Sequence, residues 1–268
     1  MQTQGATMTR GTEAAPPEAP GRYVSIGLGG IGGLALRLLV PFLHAEGNRV
    51  TVMAVDGDKF EESNRGRMIF GRLGPKPVVL AEELAAPYGD RVSIVPISEY
   101  LTAENADSLI SAGDVVFCQP DNHATRRIVE RRCARLANVA LFSGGNDGIE
   151  DGKTGTYGNV QVYLRRRGRD LTNRLSAFHP EIAEPADALP TDIGCAEAAA
   201  SAPQLLFTNA AVASAMLAAY YGWRRGELGY EEAYLDILSG RSLPVQRKLL
   251  SRRPPSRRPM PRGAPAAP

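Results

Sequence analysis

Short apolar runs bounded by turn residues recur along the first half of the chain. Each run is four to six residues long and rich in Val or other apolar residues. Such runs are typical of strands in a parallel sheet, which is buried on both faces. They predict strands at residues 22–26, 50–55, 92–97, 115–118 and 139–143. The segments between them predict helices at residues 34–45, 76–86, 103–111 and 123–136.

The pattern changes after residue 144. Residues 157–164 alternate apolar and polar positions like an antiparallel strand, and a long irregular stretch then runs to about residue 202. Residues 205–221 are apolar, but they include Thr208, Asn209 and Ser214 and are shorter than the ~20 residues of a membrane span, so we predict a packed helix. The order of elements predicts an α/β fold, a Rossmann-like, doubly wound, mainly parallel sheet that continues into antiparallel strands.

Both ends of the 268-residue chain are rich in Pro and poor in large apolar residues. Eight basic residues and no acidic ones follow residue 240. Because such segments bury too little apolar surface to fold, we predict a disordered segment at 1–20, one folded domain at 21–240 and a disordered basic tail at 241–268. The simplest interpretation of the tail is a solvated extension that could attract an acidic partner. Its lack of aromatic side chains, which would stack on bases, disfavours binding to nucleic acid.

Three cysteines, Cys118, Cys133 and Cys195, form neither an even disulfide set nor a CxxC pair. This usage fits a reducing compartment, and the first twenty residues lack the apolar core of an export signal, so we expect a cytoplasmic protein. Cys118 and Cys133 fall within a predicted strand and a predicted helix, as small buried residues do. Cys195 instead follows a glycine and precedes a helical segment, where the helix dipole favours the thiolate.

A glycine loop, GLGGIGG, follows the first predicted strand. Its glycines, Gly27, Gly29, Gly30 and Gly32, let the backbone turn and approach phosphate oxygens, and the next helix offers free N–H groups. A loop of this kind fits any dinucleotide-binding fold, including one for NAD or FAD. Asp56, at the end of the second strand, is placed to accept hydrogen bonds from ribose hydroxyls in either case.

A polar cluster beyond Asp56 favours a triphosphate over NAD. The segment DGDKFEESNRGR contains Asp58, Asn64 and Arg67, and Lys76 follows it. An NAD site has no use for such a cluster, whereas Arg67 and Lys76 could neutralise the β- and γ-phosphates and the departing pyrophosphate. We therefore assign Asp58, Asn64, Arg67 and Lys76 to a nucleotide site.

A third group of polar residues, in FCQPDNHATRR, follows the strand predicted at 115–118. Asp121 and Asn122 open a helix that carries Arg126. A carboxylate beside a triphosphate is a natural Mg²⁺ ligand, and a helix cap at Asp121 or Asn122 is compatible with metal binding. We predict that Asp121 binds Mg²⁺ and that Asn122 and Arg126 belong to the nucleotide site.

In this order, the motifs resemble those of the ThiF/MoeB/HesA family, whose members activate ubiquitin-like proteins. The resemblance covers about residues 22–165. It implies that Asp56 binds the ribose of ATP, that Asn64, Arg67 and Lys76 bind phosphates, and that Asp121 holds magnesium. The implied reaction joins the C-terminal glycine of a small β-grasp protein to AMP, with Arg67, Lys76 and Asp121 as the catalytic groups. Such a reaction depends on positioning and charge neutralisation and requires no general base.

The placement of Cys195 is similar to that in the compact activating enzymes of the autophagy and ufmylation pathways, whose catalytic cysteine lies on a crossover loop. This likeness implies a crossover loop at about residues 166–202, a thioester on Cys195 and transfer to a conjugating enzyme. Family members are usually dimers, so we expect a homodimer that packs partly through the alanine-rich helix at 205–221. Related small enzymes occur in bacterial ubiquitination-like operons that serve phage defence. Many bacterial members bind zinc through paired CxxC motifs, which this sequence lacks, so no zinc is expected.

Three other functions remain open at this point. A sulfur-carrier adenylyltransferase for thiamin or molybdopterin synthesis would need no thioester cysteine. A non-catalytic adaptor would keep the fold and bind a modifier, although Arg67, Lys76 and Asp121 disfavour this. An NAD-dependent oxidoreductase would bind NAD and not respond to ATP.

Overall fold

The computed structural model describes residues 20–150, 152–177, 179–192 and 204–245. The strands of this part of the chain are β1 (Arg22–Ile26), β2 (Val50–Val55), β3 (Lys59–Phe60), β4 (Gly74–Pro75), β5 (Val92–Ile97), β6 (Val115–Cys118), β7 (Val139–Asn146), β8 (Ile149–Glu150), β9 (Lys153–Thr154), β10 (Tyr157–Arg166), β11 (Arg169–Asp170), β12 (Glu232–Asp236) and β13 (Arg241–Val245). Its α-helices are α1 (Gly30–Ala45), α2 (Lys76–Tyr88), α3 (Ala106–Leu109), α4 (His123–Cys133), α5 (Pro180–Ala183) and α6 (Leu206–Arg224). Short 3₁₀ turns form at Glu62–Asn64 and Leu175–Ala177.

One nine-stranded sheet organises the molecule. Its order is β13-β12-β10-β7-β6-β1-β2-β5, with β11 paired to β10. The strands from β5 to β7 run parallel, and β10, β12 and β13 continue the sheet in antiparallel pairs. The chain winds outward in both directions from β1, so a crevice forms at the carboxyl ends of β1 and β6. This topology confirms the predicted fold class.

Helices cover both faces of the sheet, as the buried pattern of the parallel strands requires. Helices α1, α2 and α6 pack on one face, where the rings of Tyr23, Phe117, Phe142 and Tyr220 meet edge to face or stacked. The opposite face carries α3, α4 and α5 over a second apolar cluster that includes Cys118 and Cys133, both fully buried. No helix within the described residues is both long enough and apolar enough to cross a bilayer.

Several element boundaries differ from those predicted. Helix α1 begins at Gly30, so four of the seven residues of the glycine loop are already helical. Strand β7 extends to Asn146, beyond the predicted residue 143. The helix predicted at 103–111 shrinks to the four residues of α3. Its start is displaced because the Asn105 side chain accepts a hydrogen bond from the Thr102 N–H and donates one to the Tyr100 carbonyl, which shapes a turn there.

The predicted boundary at residue 240 is wrong, because Arg241–Val245 forms strand β13 and pairs with β12. Composition did not reveal this strand because it lies at the edge of the sheet with mostly exposed side chains, where Pro244 is tolerated. The stretch predicted as irregular after residue 165 also contains β11, the 3₁₀ turn and α5. Residues 1–19 and 246–268, the rest of the two segments predicted to be disordered, lie outside the described residues.

Candidate functional site

A cleft of about 1150 Å³ opens along the carboxyl ends of the parallel strands. Its first arm lies at β1, β2 and β6 and is lined by residues drawn from 26–31, 55–68, 76, 100–101 and 119–126. Its second arm extends over β7 and β10 and is lined by residues drawn from 145–148, 153, 157–161, 179–190, 204 and 234–235. The segment 179–190, which we call the strap, forms one wall of the second arm.

The glycine loop of the first arm packs closely against residues 119 and 120, which follow β6. The Gly27 N–H donates to the Val55 carbonyl at 3.0 Å, and the Gln119 N–H donates to the Ile26 carbonyl at 2.8 Å. Gly27 has φ +84°, and a Cβ there would lie 2.7 Å from the backbone nitrogen of Pro120. Only glycine fits this turn, which brings the loop beside Asp121.

Asp56 ties the glycine loop to the end of β2. Its Oδ2 accepts a hydrogen bond from the Leu28 N–H at 2.5 Å, and its Oδ1 accepts one from the Asp58 N–H at 2.7 Å. The side chain is buried, and this burial raises the pKa of Asp56 above its ordinary value although Lys76 opposes the shift. The carboxylate that we assigned to ribose is therefore held in place by backbone donors.

Lys76 lies between two carboxylates. Its Nζ is 2.8 Å from Asp58 Oδ2 and 3.8 Å from Asp56 Oδ2, and the residue is only 5% exposed. Partial burial acts to raise the pKa of Asp58, but the ammonium of Lys76 and hydrogen bonds from Lys76 and Tyr100 hold it below its ordinary value. Sequence reasoning missed Tyr100, which follows β5 and whose ring would collide with any side chain at Gly57.

Arg67 reaches the cleft from a compact turn. The Asn64 side chain accepts a hydrogen bond from the Glu61 N–H at 3.0 Å, and the Asn64 carbonyl accepts one from the Arg67 N–H at 3.0 Å. Asn64 and Arg67 both line the first arm and are half-buried. The turn thus presents Arg67 on the same side as the glycine loop.

Asn122 and Arg126 stabilise the edge on which Asp121 sits. Asn122 caps α4, because its Oδ1 accepts a hydrogen bond from the Thr125 N–H at 2.7 Å. Arg126 is buried and donates to the carbonyls of Pro120 at 2.8 Å and Gly144 at 2.7 Å. Burial lowers the pKa of the Arg126 guanidinium from its ordinary value. Both side chains line the cleft, yet their observed hydrogen bonds are to the protein itself.

The first arm fits a nucleoside triphosphate with magnesium. The N-terminus of α1 carries no acidic residue in its first turn, so its N–H groups are suited to phosphate oxygens. Asp121 is exposed in the arm, and the nearby Gln119 Oε1 is buried without a hydrogen-bond partner in the described part of the chain. The described residues hold no group of three or more potential metal ligands from His, Cys, Asp and Glu. Magnesium suits such a site because phosphates and water supply most of its ligands.

Long-range carboxylate contacts hold the strap over the second arm. His179 Nε2 lies 2.5 Å from Oε1 of the buried Glu232, and its Nδ1 lies 2.9 Å from Glu181 Oε1. The hydrogen bond with Glu232 raises the pKa of His179 above its ordinary value. Asp187 accepts hydrogen bonds from the backbone N–H groups of His123 and Ala124 at the start of α4. No local sequence motif marks these contacts, and sequence analysis missed them.

Most of the predicted site residues meet in the first arm. It brings together Gly27, Gly29, Gly30, Asp56, Asp58, Asn64, Arg67, Lys76, Asp121, Asn122 and Arg126. Gly32 does not line the cleft and is buried within the first turn of α1. Cys195 lies outside the described residues, but Pro190 and Gln204, which precede and follow residues 193–203, both line the second arm.

Comparison with known proteins agrees with this architecture. Protein HesA of Nostoc sp. (strain PCC 7120) is 27% identical over 157 residues, which make up 58% of this chain and 56% of HesA. The structure of E. coli MccB with ATP has a TM-score of 0.61 at 15% identity and covers 84% of this chain and 63% of MccB. MccB in complex with N-formylated MccA has a TM-score of 0.62 at 15% identity, over 84% and 64% of the two chains.

The structural likeness to MccB shows a shared fold, and this chain spans less than two thirds of the length of these relatives. The family assignment comes from a separate match. Residues 20–225, well over half of the chain, match the model of the ThiF family. The protein therefore belongs to the ThiF family.

Proposed function

We propose that the protein uses ATP to adenylate the C-terminal glycine of a small ubiquitin-like, β-grasp protein. One observation carries the proposal: a single cleft joins an arm suited to a triphosphate with a second arm that runs under the strap. The second arm provides a path for an extended peptide to reach the first. MccB, which has a similar fold, has been seen both with ATP and with N-formylated MccA, which supports a cleft that holds a nucleotide and a second molecule.

The proposed reaction transfers the adenylyl group by a single displacement. A carboxylate oxygen of the substrate attacks the α-phosphorus of ATP, an O–P bond forms, and the bond from that phosphorus to the bridging oxygen breaks to release pyrophosphate. Arg67 stabilises the negative charge on the leaving group, and Lys76 assists when it turns from Asp58 towards the phosphates. Asp56 holds the ribose. Asp121 is the proposed ligand of Mg²⁺, which when bound neutralises phosphate charge.

The proposed reaction needs no general base, and the first arm supplies the charges that it does need, the cations of Arg67 and Lys76 and the carboxylate of Asp121. A substrate carboxylate is already ionised near pH 7, so alignment and charge neutralisation suffice. This reasoning favours adenylation over a reaction that must remove a proton.

Cys195 is the proposed acceptor of the activated tail. Its thiolate would attack the acyl carbon of the adenylate, forming a C–S bond and releasing AMP, and a conjugating enzyme would then receive the acyl group. Cys195 is five residues from Pro190, so an extended chain reaches at most about 18 Å from the wall of the second arm. Cys118 and Cys133 are poor alternatives, because both are fully buried and burial raises the pKa of the Cys118 thiol to about 11.

A homodimer is part of the proposal. Helix α6 leaves Phe207 75% exposed and Tyr221 52% exposed, and Leu38 on the neighbouring α1 is 53% exposed. These side chains and the intervening alanines suit close packing of a second copy.

The proposed setting, a bacterial ubiquitination-like pathway in phage defence, comes from the sequence resemblance.

The test is ATP–pyrophosphate exchange with a candidate ubiquitin-like protein, run for the wild type, Cys195→Ala and the matched control Cys133→Ala. We expect exchange in all three and a thiol-reducible adduct with the modifier in the wild type and Cys133→Ala alone. An adduct that persists in Cys195→Ala would remove this thiol from the mechanism. Exchange without any adduct in the wild type would indicate the sulfur-carrier reaction, and NAD binding with no response to ATP would refute adenylation.

A further inference from the structure

The side chain of Asn209 lies behind the first arm, where helix α6 meets the N-terminus of α1 and the turn that carries Arg67. This residue of α6 is fully buried, and its Nδ2 donates to the Arg67 carbonyl at 3.3 Å. A Cβ on Gly30 would lie 2.0 Å from Asn209 Nδ2 and 3.0 Å from the Arg67 carbonyl oxygen. The amide therefore sits directly against both the first residue of α1 and the backbone of Arg67.

An amide is not the side chain that stability alone would favour here. Burying an amide costs free energy unless its groups are hydrogen-bonded, and Asn209 Oδ1 has no hydrogen-bond partner among the described residues. An apolar side chain would avoid this cost, as Val212 and Ala213 do one turn further along the helix. What the amide adds is one directed hydrogen bond, from α6 to the carbonyl of Arg67.

We propose that Asn209 is a positioning residue that sets Arg67 over the N-terminus of α1, where the β- and γ-phosphates of ATP bind. This inference rests on the proposed function. Asn209 acts on the nucleotide through the Arg67 backbone, since its own side chain does not line the cleft. Helix α6 begins two residues after Gln204, which lines the second arm, so the same helix joins the two halves of the site.

Nucleotide selectivity tests the proposal. Dissociation constants for ATP and AMP, both with Mg²⁺, are measured by calorimetry for the wild type, Asn209→Ala and Asn209→Leu, the last keeping the branching and the number of non-hydrogen atoms of the side chain. Thr208→Val is the matched control, because Thr208 is also fully buried on α6 but donates its hydrogen bond to the Gly155 carbonyl, away from the first arm.

We expect the wild type to bind ATP more tightly than AMP. Both Asn209 variants should reduce this preference by about fivefold, the factor that one hydrogen bond supplies, with little change for AMP. Thr208→Val should keep the wild-type preference. An unchanged preference in the Asn209 variants, or an equal loss for ATP and AMP, would overturn the positioning role alone. A wild type without preference for ATP would refute the proposed function and this inference with it.

Discussion

Replacing His179 with alanine should loosen the strap. His179 bridges Glu181, whose side chain is 48% exposed, and Glu232, whose side chain is 1% exposed. The contact with Glu181 adds little because water screens it. Without the imidazole, the buried Glu232 carboxylate loses a charged donor, and removing one partner of a buried ion pair costs about 3 kcal/mol. We expect the free energy of unfolding to fall by about that amount at pH 6.

The loss should depend on pH. The pKa of His179 is raised in the folded protein, so the folded state binds the proton more tightly than the unfolded state, in which the pKa is about 6.5. The stabilisation is therefore fully present below the unfolded pKa and is lost as the pH rises through the folded pKa. The difference between the wild type and His179→Ala should shrink to about 1.5 kcal/mol at pH 9, the worth of a hydrogen bond from a neutral imidazole to the Glu232 carboxylate.

Urea unfolding at pH 6 and pH 9 measures both quantities. The fluorescence of Trp223, the only tryptophan, reports on the core because its ring packs against Phe142 and Tyr220. His44→Ala is the matched control, since His44 pairs with the exposed Asp90 at 2.9 Å and such surface pairs contribute under about 0.5 kcal/mol. An equal effect of His179→Ala at the two pH values would refute the assignment of a protonated, strap-anchoring imidazole.

Three further changes test other parts of the structure. Arg167→Asn should raise the urea stability by about 0.5 kcal/mol, because Arg167 has φ +50° and Asn tolerates this region better; a loss would contradict the turn geometry. Lys76→Met should lower stability by about 3 kcal/mol near pH 8, because it leaves the buried Asp56 carboxylate without its cation. The loss should shrink as the pH falls, because the raised pKa of Asp56 lets this side chain take up a proton at a higher pH than an ordinary carboxyl; a loss independent of pH would argue against this pairing. Gly27→Ala should lower the stability measured by thermal unfolding by over about 2 kcal/mol, because the new Cβ would both strain the backbone at positive φ and collide with Pro120. Gly113→Ala is the control, since Gly113 has φ +94° but open space around it, so this change adds backbone strain without a collision. Equal losses in the two variants would exclude the collision.

The sequence predicted the buried parallel strands well, because their identity depends on local pattern. The bounds predicted for the first four strands agree with β1, β2, β5 and β6. A strand buried on both faces is an uninterrupted apolar run that ends where turn residues begin, so its limits can be read without knowledge of its neighbours. Gly27, Asp56 and Asp121 of the first arm could be predicted for the same reason, since each lies within three residues of the end of β1, β2 or β6.

Elements that depend on distant contacts were not predictable in this way. Strand β13 forms because β12 offers free backbone groups along its edge, and nothing in residues 241–245 alone indicates that partner. The same holds for Tyr100, whose contact with Asp58 spans 42 positions. A pattern read within a short window contains no information on pairs at such separations.

The two arms of the cleft differ in how far their structure depends on contacts between distant positions. This difference bears on which part of the site determines the choice of substrate. Part of the first arm is built from residues next to strand ends, which suits the nucleotide proposed for it, because the proposed reaction would use that nucleotide in every cycle. The wall of the second arm is held by the contacts of His179 with Glu232 and of Asp187 with α4, which join positions 53 and about 64 residues apart. Changes in the strap would alter the second arm without disturbing the glycine loop or Asp56. Exchanging strap residues should therefore change which peptide tail is accepted while the affinity for ATP stays constant, and a parallel loss of ATP binding would show that the arms are not separable.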